Sequence, residues 1–230
     1  LALLLSYFGH LPLFLIGLWQ GPKRLLVAAI AACSALVLLG GLLPFTVFMV
    51  VFAGPAMLLT RMALVIRKDE TGKPGFVPTG IVVSAMAVMI AMVMIVITGS
   101  VTAEGLDIQE FISQFLGQMY SEMGVPMTPE LQNIIDMFQT YFPAIVAVSW
   151  LLMLFANAAI AQAILVRSGR NLRPSPDLAS MALPGWSLFA FALAGFLVGF
   201  ADGSLAYVAR NVAVVLAVPF LMQGLALVHG

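Results

Sequence analysis

The chain has 230 residues, 62% of them hydrophobic and only 9% charged, against the roughly quarter-charged composition of soluble domains. This is the composition of an integral membrane protein. Ten basic residues balance ten acidic ones, so no net charge draws nucleic acid, and a lone cysteine, Cys33, excludes an intramolecular disulfide and a cysteine-based zinc cluster.

The sequence starts at Leu1 inside a hydrophobic run (LALLLSYF), without the cationic flank of a signal peptide, and is expected to be trimmed there. Residues 1–18 read as a first span, interrupted at Gly9-His10-Leu11-Pro12, where Pro12 removes a backbone donor. It ends at Trp19-Gln20-Gly21-Pro22-Lys23-Arg24, an interfacial aromatic followed by a turn and two cations. Residues 25–39 form a short, alanine-rich second span that stops at Gly40-Gly41. Residues 45–66 form a third, with a kink expected at Gly54-Pro55. The loop 67–79 (RKDETGKPGFVPT) is hydrophilic, and residues 80–99 form an uncharged fourth span.

Residues 100–142 break the hydrophobic pattern with six acidic residues (Glu104, Asp107, Glu110, Glu122, Glu130, Asp136) and no Lys or Arg. From Asp107, a candidate N-cap with Glu110 three residues on, the apolar Ile108, Phe111, Ile112, Phe115, Leu116, Met119, Tyr120 and Met123 fall in steps of three and four, one helical stripe. Gly124 and Pro126 end that helix, and Thr128-Pro129 caps a second one carrying Leu131, Ile134, Ile135, Phe138 and Phe142. Such helices are too small for a core of their own, so their greasy faces should cover each other, the span ends or another subunit. The fifth span, 143–166, carries Asn157 and Gln162. A basic loop (Arg167, Arg170, Arg173) follows, then a sixth span at 187–201 and a seventh at 204–228.

Seven spans put Lys23 and Arg24, then Arg67, Lys68 and Lys73, then Arg167, Arg170 and Arg173 in alternate loops on one side, which the positive-inside rule makes cytoplasmic. The expected fold is all-α: a polytopic transmembrane helix bundle of seven spans, eight if a helix precedes Leu1, in a bacterial inner membrane. Its parts are spans one to four (1–99), an extracytoplasmic acidic helix pair (100–142) and spans five to seven (143–230), with a cytoplasmic C-terminus.

No nucleophile–base motif, metal-ligand spacing or phosphate loop occurs, His10 and His229 fall near opposite faces, and Gly17 and Gly21 are isolated. Neither enzymatic activity, nor a cofactor, nor a metal is therefore expected. Arg210, about two turns inside a span, is costly unless it snorkels, pairs with Asp202 or anchors an anionic ligand. Asn211, Asn157 and Gln162 either line the same cleft or form interhelical hydrogen bonds. Gln223 follows Pro219 and would steady a kinked helix. Gly195 and Gly199, four apart, suit a packing face, and Arg61 is expected to snorkel to headgroups.

The segments LPLFLIGL (11–18), RPSPDLASMALPGW (173–186) and ARNVAVVLAVPFLMQGLALVH (209–229) resemble the YybS-like bacterial polytopic membrane proteins, in particular their alphaproteobacterial branch. That family is distantly similar to the substrate-capture components of energy-coupling-factor transporters. The resemblance implies a helical membrane protein and assigns no catalytic residue. Two functions remain: a substrate-binding or transport-associated subunit, with residues 107–142 over an outward cavity lined by Arg210 and Asn211, or a scaffold whose insert offers Phe111, Phe115, Tyr120 and Phe138 to a partner protein or second subunit. The small-molecule ligand is not legible.

Overall fold

A computed structural model describes residues 7–68, 72–103, 108–126, 128–178 and 181–229. Among them are eight helices: α1 (Leu11–Gln20), α2 (Pro22–Gly40), α3 (Leu42–Leu64), α4 (Thr79–Ala103), α5 (Ile108–Glu122), α6 (Pro129–Arg167), α7 (Gly185–Phe200) and α8 (Gly203–His229). The protein is all-α and of helical membrane type, as its composition requires. Five helices, α2, α3, α4, α6 and α8, are long and apolar enough to cross a membrane. The other two predicted spans are the shorter α1 and α7, of 10 and 16 residues, or about 15 and 24 Å at 1.5 Å per residue. The candidate cap at Asp107, like Glu104, lies outside the described residues.

Proline and glycine punctuate the helices where local chemistry demands it. Pro12 and Pro22 fall in the first turns of α1 and α2, where no intrahelical N–H is needed. Gly21 (φ 87°) and Gly41 (φ 81°) take the left-handed backbone that lets one helix end and the next begin at once. The predicted kink at Gly54-Pro55 is a π-helical turn, Met49–Ala53, in which the Gly54 N–H donates to the Met49 carbonyl five residues back. Thr128 caps α6, its hydroxyl accepting the Leu131 N–H at 3.2 Å.

Two elements depart from expectation. The loop 67–79 contains a short antiparallel hairpin, β1 (Ile66–Lys68) with β2 (Pro74–Phe76), in the register Ile66↔Phe76, Arg67↔Gly75 and Lys68↔Pro74. The second insert helix does not end at Phe142. It continues through Pro143 into the fifth span as one 39-residue helix.

The chain divides into two compact units. The first comprises residues 1–86, 150–184 and 221–230. Its core includes the fully buried Phe14, Leu25, Ala56, Leu151, Leu154 and Ala161. Here α1 packs on α3 so closely that a Cβ on Gly17 would collide with Thr60. Gly80 likewise has no room for a side chain against the backbone of Ala182. The second unit comprises residues 87–149 and 185–220. At its centre Ile112 and Leu116 of α5, Ile135 of α6 and Tyr207 of α8 pack together, flanked by Val101, Tyr120, Leu131, Phe142 and Val208. One edge of each insert stripe, Ile112, Leu116 and Tyr120 on α5 and Leu131, Ile135 and Phe142 on α6, thus packs together and against α8, while Phe111, Phe115, Ile134 and Phe138 stay exposed.

Because Gly17 faces Thr60 directly, Gly17→Val is expected to cost about 1–3 kcal/mol, read as a lowered unfolding midpoint in detergent. Gly195→Ala is expected to leave the midpoint unchanged or raise it, since a Cβ there meets nothing within 4 Å.

Candidate functional site

Most polar side chains in the spans are joined to backbone, and two of the sites answer a proline. A proline inside a helix offers no N–H to the carbonyl four residues back, and hydrocarbon contains no water to replace it. For Pro55 that carbonyl belongs to Val51, and the buried His10 lies with Nε2 2.8 Å from it, so Nε2–H donates. The His10 ring also stacks on Phe52 at 4.6 Å. For Pro143 the carbonyl belongs to Gln139, and the Tyr207 hydroxyl donates to it at 2.7 Å. Asn211 bridges the next rung, accepting from the Ala144 N–H at 3.0 Å and donating to the Thr140 carbonyl at 3.0 Å. An unbroken helix would pair those two groups with each other.

The residues singled out from sequence have different partners. Asn211 is buried, and with a third bond to the Tyr207 carbonyl both of its N–H donors are engaged. Arg210, one residue away, is half-buried, and no hydrogen bond or ion pair joins it to the exposed Asp202 among the described residues. Asn157 belongs to the first unit, where it donates to the carbonyls of Tyr7 (2.7 Å) and Met153 (2.8 Å). Gln223 does not steady its own helix at Pro219 as expected: its amide donates outside that helix, to the Met181 carbonyl at 3.1 Å. A Cβ on Gly195 or Gly199 would meet nothing within 4 Å. On the insert, Tyr120 packs against the core, whereas Phe111, Phe115 and Phe138 remain 48%, 51% and 43% exposed.

Gln162 leads to the most site-like arrangement. Its Nε2 donates to the Arg173 carbonyl at 2.7 Å, and Asn171 donates to the same oxygen at 2.9 Å. Held by these bonds, Arg173 sends Nη1 to the Ala63 carbonyl at the end of α3 (3.0 Å) and lays its guanidinium 5.4 Å from the centre of the Phe76 ring on β2. The loop is pinned again where Arg170 covers the Trp19 ring at 4.9 Å. Burial pushes the Arg173 guanidinium below its ordinary pKa, yet an arginine stays charged in a protein. Arg173, Gln162, Thr79 and Ser175 line a cavity of about 320 Å³ whose other walls, including Leu59, Val82 and Phe155, are apolar. One of five guanidinium donors is engaged by Ala63, so the cation can still offer a paired contact to a carboxylate or phosphate. Sequence reading counted Arg173 only as a topological charge. No group of three His, Cys, Asp or Glu side chains that could hold a metal occurs among the described residues.

Removing the Tyr207 hydroxyl with Tyr207→Phe strips the Gln139 carbonyl of its donor and is expected to cost about 1–3 kcal/mol of stability. In a Pro143→Ala background residue 143 supplies its own N–H, so the same substitution should cost much less. A double-mutant cycle on unfolding free energies measures the difference; a coupling under about 0.5 kcal/mol would contradict the arrangement.

No curated protein and no solved structure matches the chain. A family described as predicted membrane proteins matches it from residue 1 to residue 229, nearly end to end. The chain therefore belongs to the DUF2232 family of predicted membrane proteins.

Proposed function

We propose that this integral membrane protein is a non-catalytic, ligand-binding subunit associated with transport, and that its ligand is a small amphiphile bearing a carboxylate or phosphate. The observation that carries the reading is the Arg173 cavity: mostly apolar walls with one guanidinium, one amide and the hydroxyls of Thr79 and Ser175, at a volume of about 320 Å³, near the lower end of ligand pockets, which run from roughly 300 to 1,000 Å³. The outward cavity under residues 107–142, lined by Arg210 and Asn211, has less support, because the donors of Asn211 serve the backbone. The resemblance of its sequence segments to YybS-like proteins, and through them to substrate-capture components of energy-coupling-factor transporters, supports this reading as analogy alone.

Orientation follows from charge. Lys23 and Arg24 beside the α1–α2 turn, Arg67, Lys68 and Lys73 around the hairpin, and Arg167, Arg170 and Arg173 after α6 fall in alternate connections. This supports a bacterial inner-membrane protein with these connections and the C-terminus cytoplasmic and the insert extracytoplasmic. In a Cys33→Ser background, Glu122→Cys should react with a membrane-impermeant maleimide in intact spheroplasts, and Lys73→Cys only after lysis. The reverse pattern inverts the topology.

A second reading rests on Phe111, Phe115 and Met119 on α5 and Met123 just past its end, all exposed: a scaffold whose insert meets a protein partner or second subunit. The two readings separate on ligand binding by purified protein, with octanoate and octyl phosphate as probes. The first expects a raised unfolding midpoint and a dissociation constant about tenfold weaker in Arg173→Ala, a loss of about 1.4 kcal/mol. Absence of binding by the unsubstituted protein would leave the scaffold as the better account.

A further inference from the structure

A second concavity, independent of the Arg173 cavity, lies between α2 and α3. Its volume is about 830 Å³, and its α2 wall runs along one stripe, Leu26, Ile30, Cys33 and Val37, with Ala29 and Ser34 beside it. Opposite stand Phe45, Met49, Ala53, Gly54 and Met57 of α3, ending in Arg61. The floor is low because its residues are small: Ala29 and Cys33 on one helix, Ala53 and Gly54 at the π-helical turn on the other.

Length and charge select the occupant. From Leu26 to Leu38, twelve residue steps, α2 rises about 18 Å. That matches one leaflet of a hydrocarbon core about 30 Å thick and is too short for a partner helix crossing the whole membrane. The cations gather at one end. Arg61 lines the groove there, and Lys23, three residues before Leu26, continues the α2 stripe with Arg24 beside it. Residues 1–68 hold Lys23, Arg24, Arg61, Arg67 and Lys68 and no Asp or Glu. The Lys23 and Arg24 side chains are exposed, as is Arg61. An aromatic interface residue, Trp19, precedes them by one turn.

We propose that this groove seats an anionic phospholipid of the leaflet on the basic-loop side. Its acyl chain lies between the α2 and α3 stripes, and its phosphate meets Arg61 and Lys23, in the manner of basic pockets between membrane helices. The small floor residues make room for the chain, and the arginine fork supplies the paired contact that a phosphate accepts. A zwitterionic lipid fills the same groove without the net attraction.

Native mass spectrometry of the full chain in detergent tests this, with dioleoylphosphatidylglycerol and dioleoylphosphatidylcholine as probes. The unsubstituted protein should retain phosphatidylglycerol preferentially. The double variant Lys23→Gln/Arg61→Gln should lose that preference by about tenfold, while Arg61→Lys keeps most of it and Lys68→Gln, in the hairpin, leaves it unchanged. Ser34→Phe, at an exposed groove position, should lower retention of both lipids without shifting the unfolding midpoint. Equal losses from Lys68→Gln would reduce the effect to diffuse surface charge and overturn the proposal. So would unchanged preference in the double variant. A change of oligomeric state in Ser34→Phe with lipid retention intact would assign the groove to a second copy instead.

Discussion

Every backbone carbonyl in hydrocarbon needs a donor from the protein, and prolines inside helices remove donors at known positions. Two interior polar sites of this chain answer that constraint. His10 answers Pro55 through Val51, and Tyr207 with Asn211 answers Pro143 through Gln139, Thr140 and Ala144. His10 stands at the cap of α1 and Tyr207 and Asn211 on α8, so Pro55 and Pro143 each also tie a second element to the helix they interrupt. An interior histidine, tyrosine or asparagine that would look like a reactive group in a soluble protein acts here as missing backbone.

With these groups committed, the chemistry left for ligands is concentrated in the cations near the helix ends. Arg173 is aimed by Gln162, Asn171 and Ala63 rather than left to wander as a surface arginine would. Arg61 closes an apolar stripe. Both combine a fixed positive charge with an apolar wall, and both fall in the first unit. The second unit is held by aromatic and aliphatic packing around Tyr207, which joins the acidic helix pair to α8.

Element positions were legible in the sequence because they depend on short-range physics. The stops at Gly21, Gly41 and Gly124, the cap at Thr128 and the irregularity at Gly54-Pro55 all follow from φ preferences and missing N–H groups. The hairpin was not legible, since RKDETGKPGF carries no alternating apolar face. The continuity of α6 was hidden for a different reason. Pro143 reads as a helix stop unless one knows that a tyrosine 68 residues from Gln139 supplies the absent donor. The same gap separates Asn211 as a candidate ligand contact from Asn211 as a bridge between Thr140 and Ala144. Composition marks a side chain as polar, whereas only the fold says which atom it meets.

The Pro143 arrangement also works as a keyed joint. A slide of α8 along α6 by one helical turn, about 5.4 Å, would bring Tyr207 and Asn211 to rungs whose carbonyls already hold their own N–H partners. Only the rungs at Gln139 and Thr140 accept the key, so the joint has one engaged position and no neighbouring notch. Within the second unit, α8 is thus keyed to the start of α6 at one position, and the positive-φ glycines Gly124 (φ 69°) and Gly203 (φ 60°) stand at helix ends.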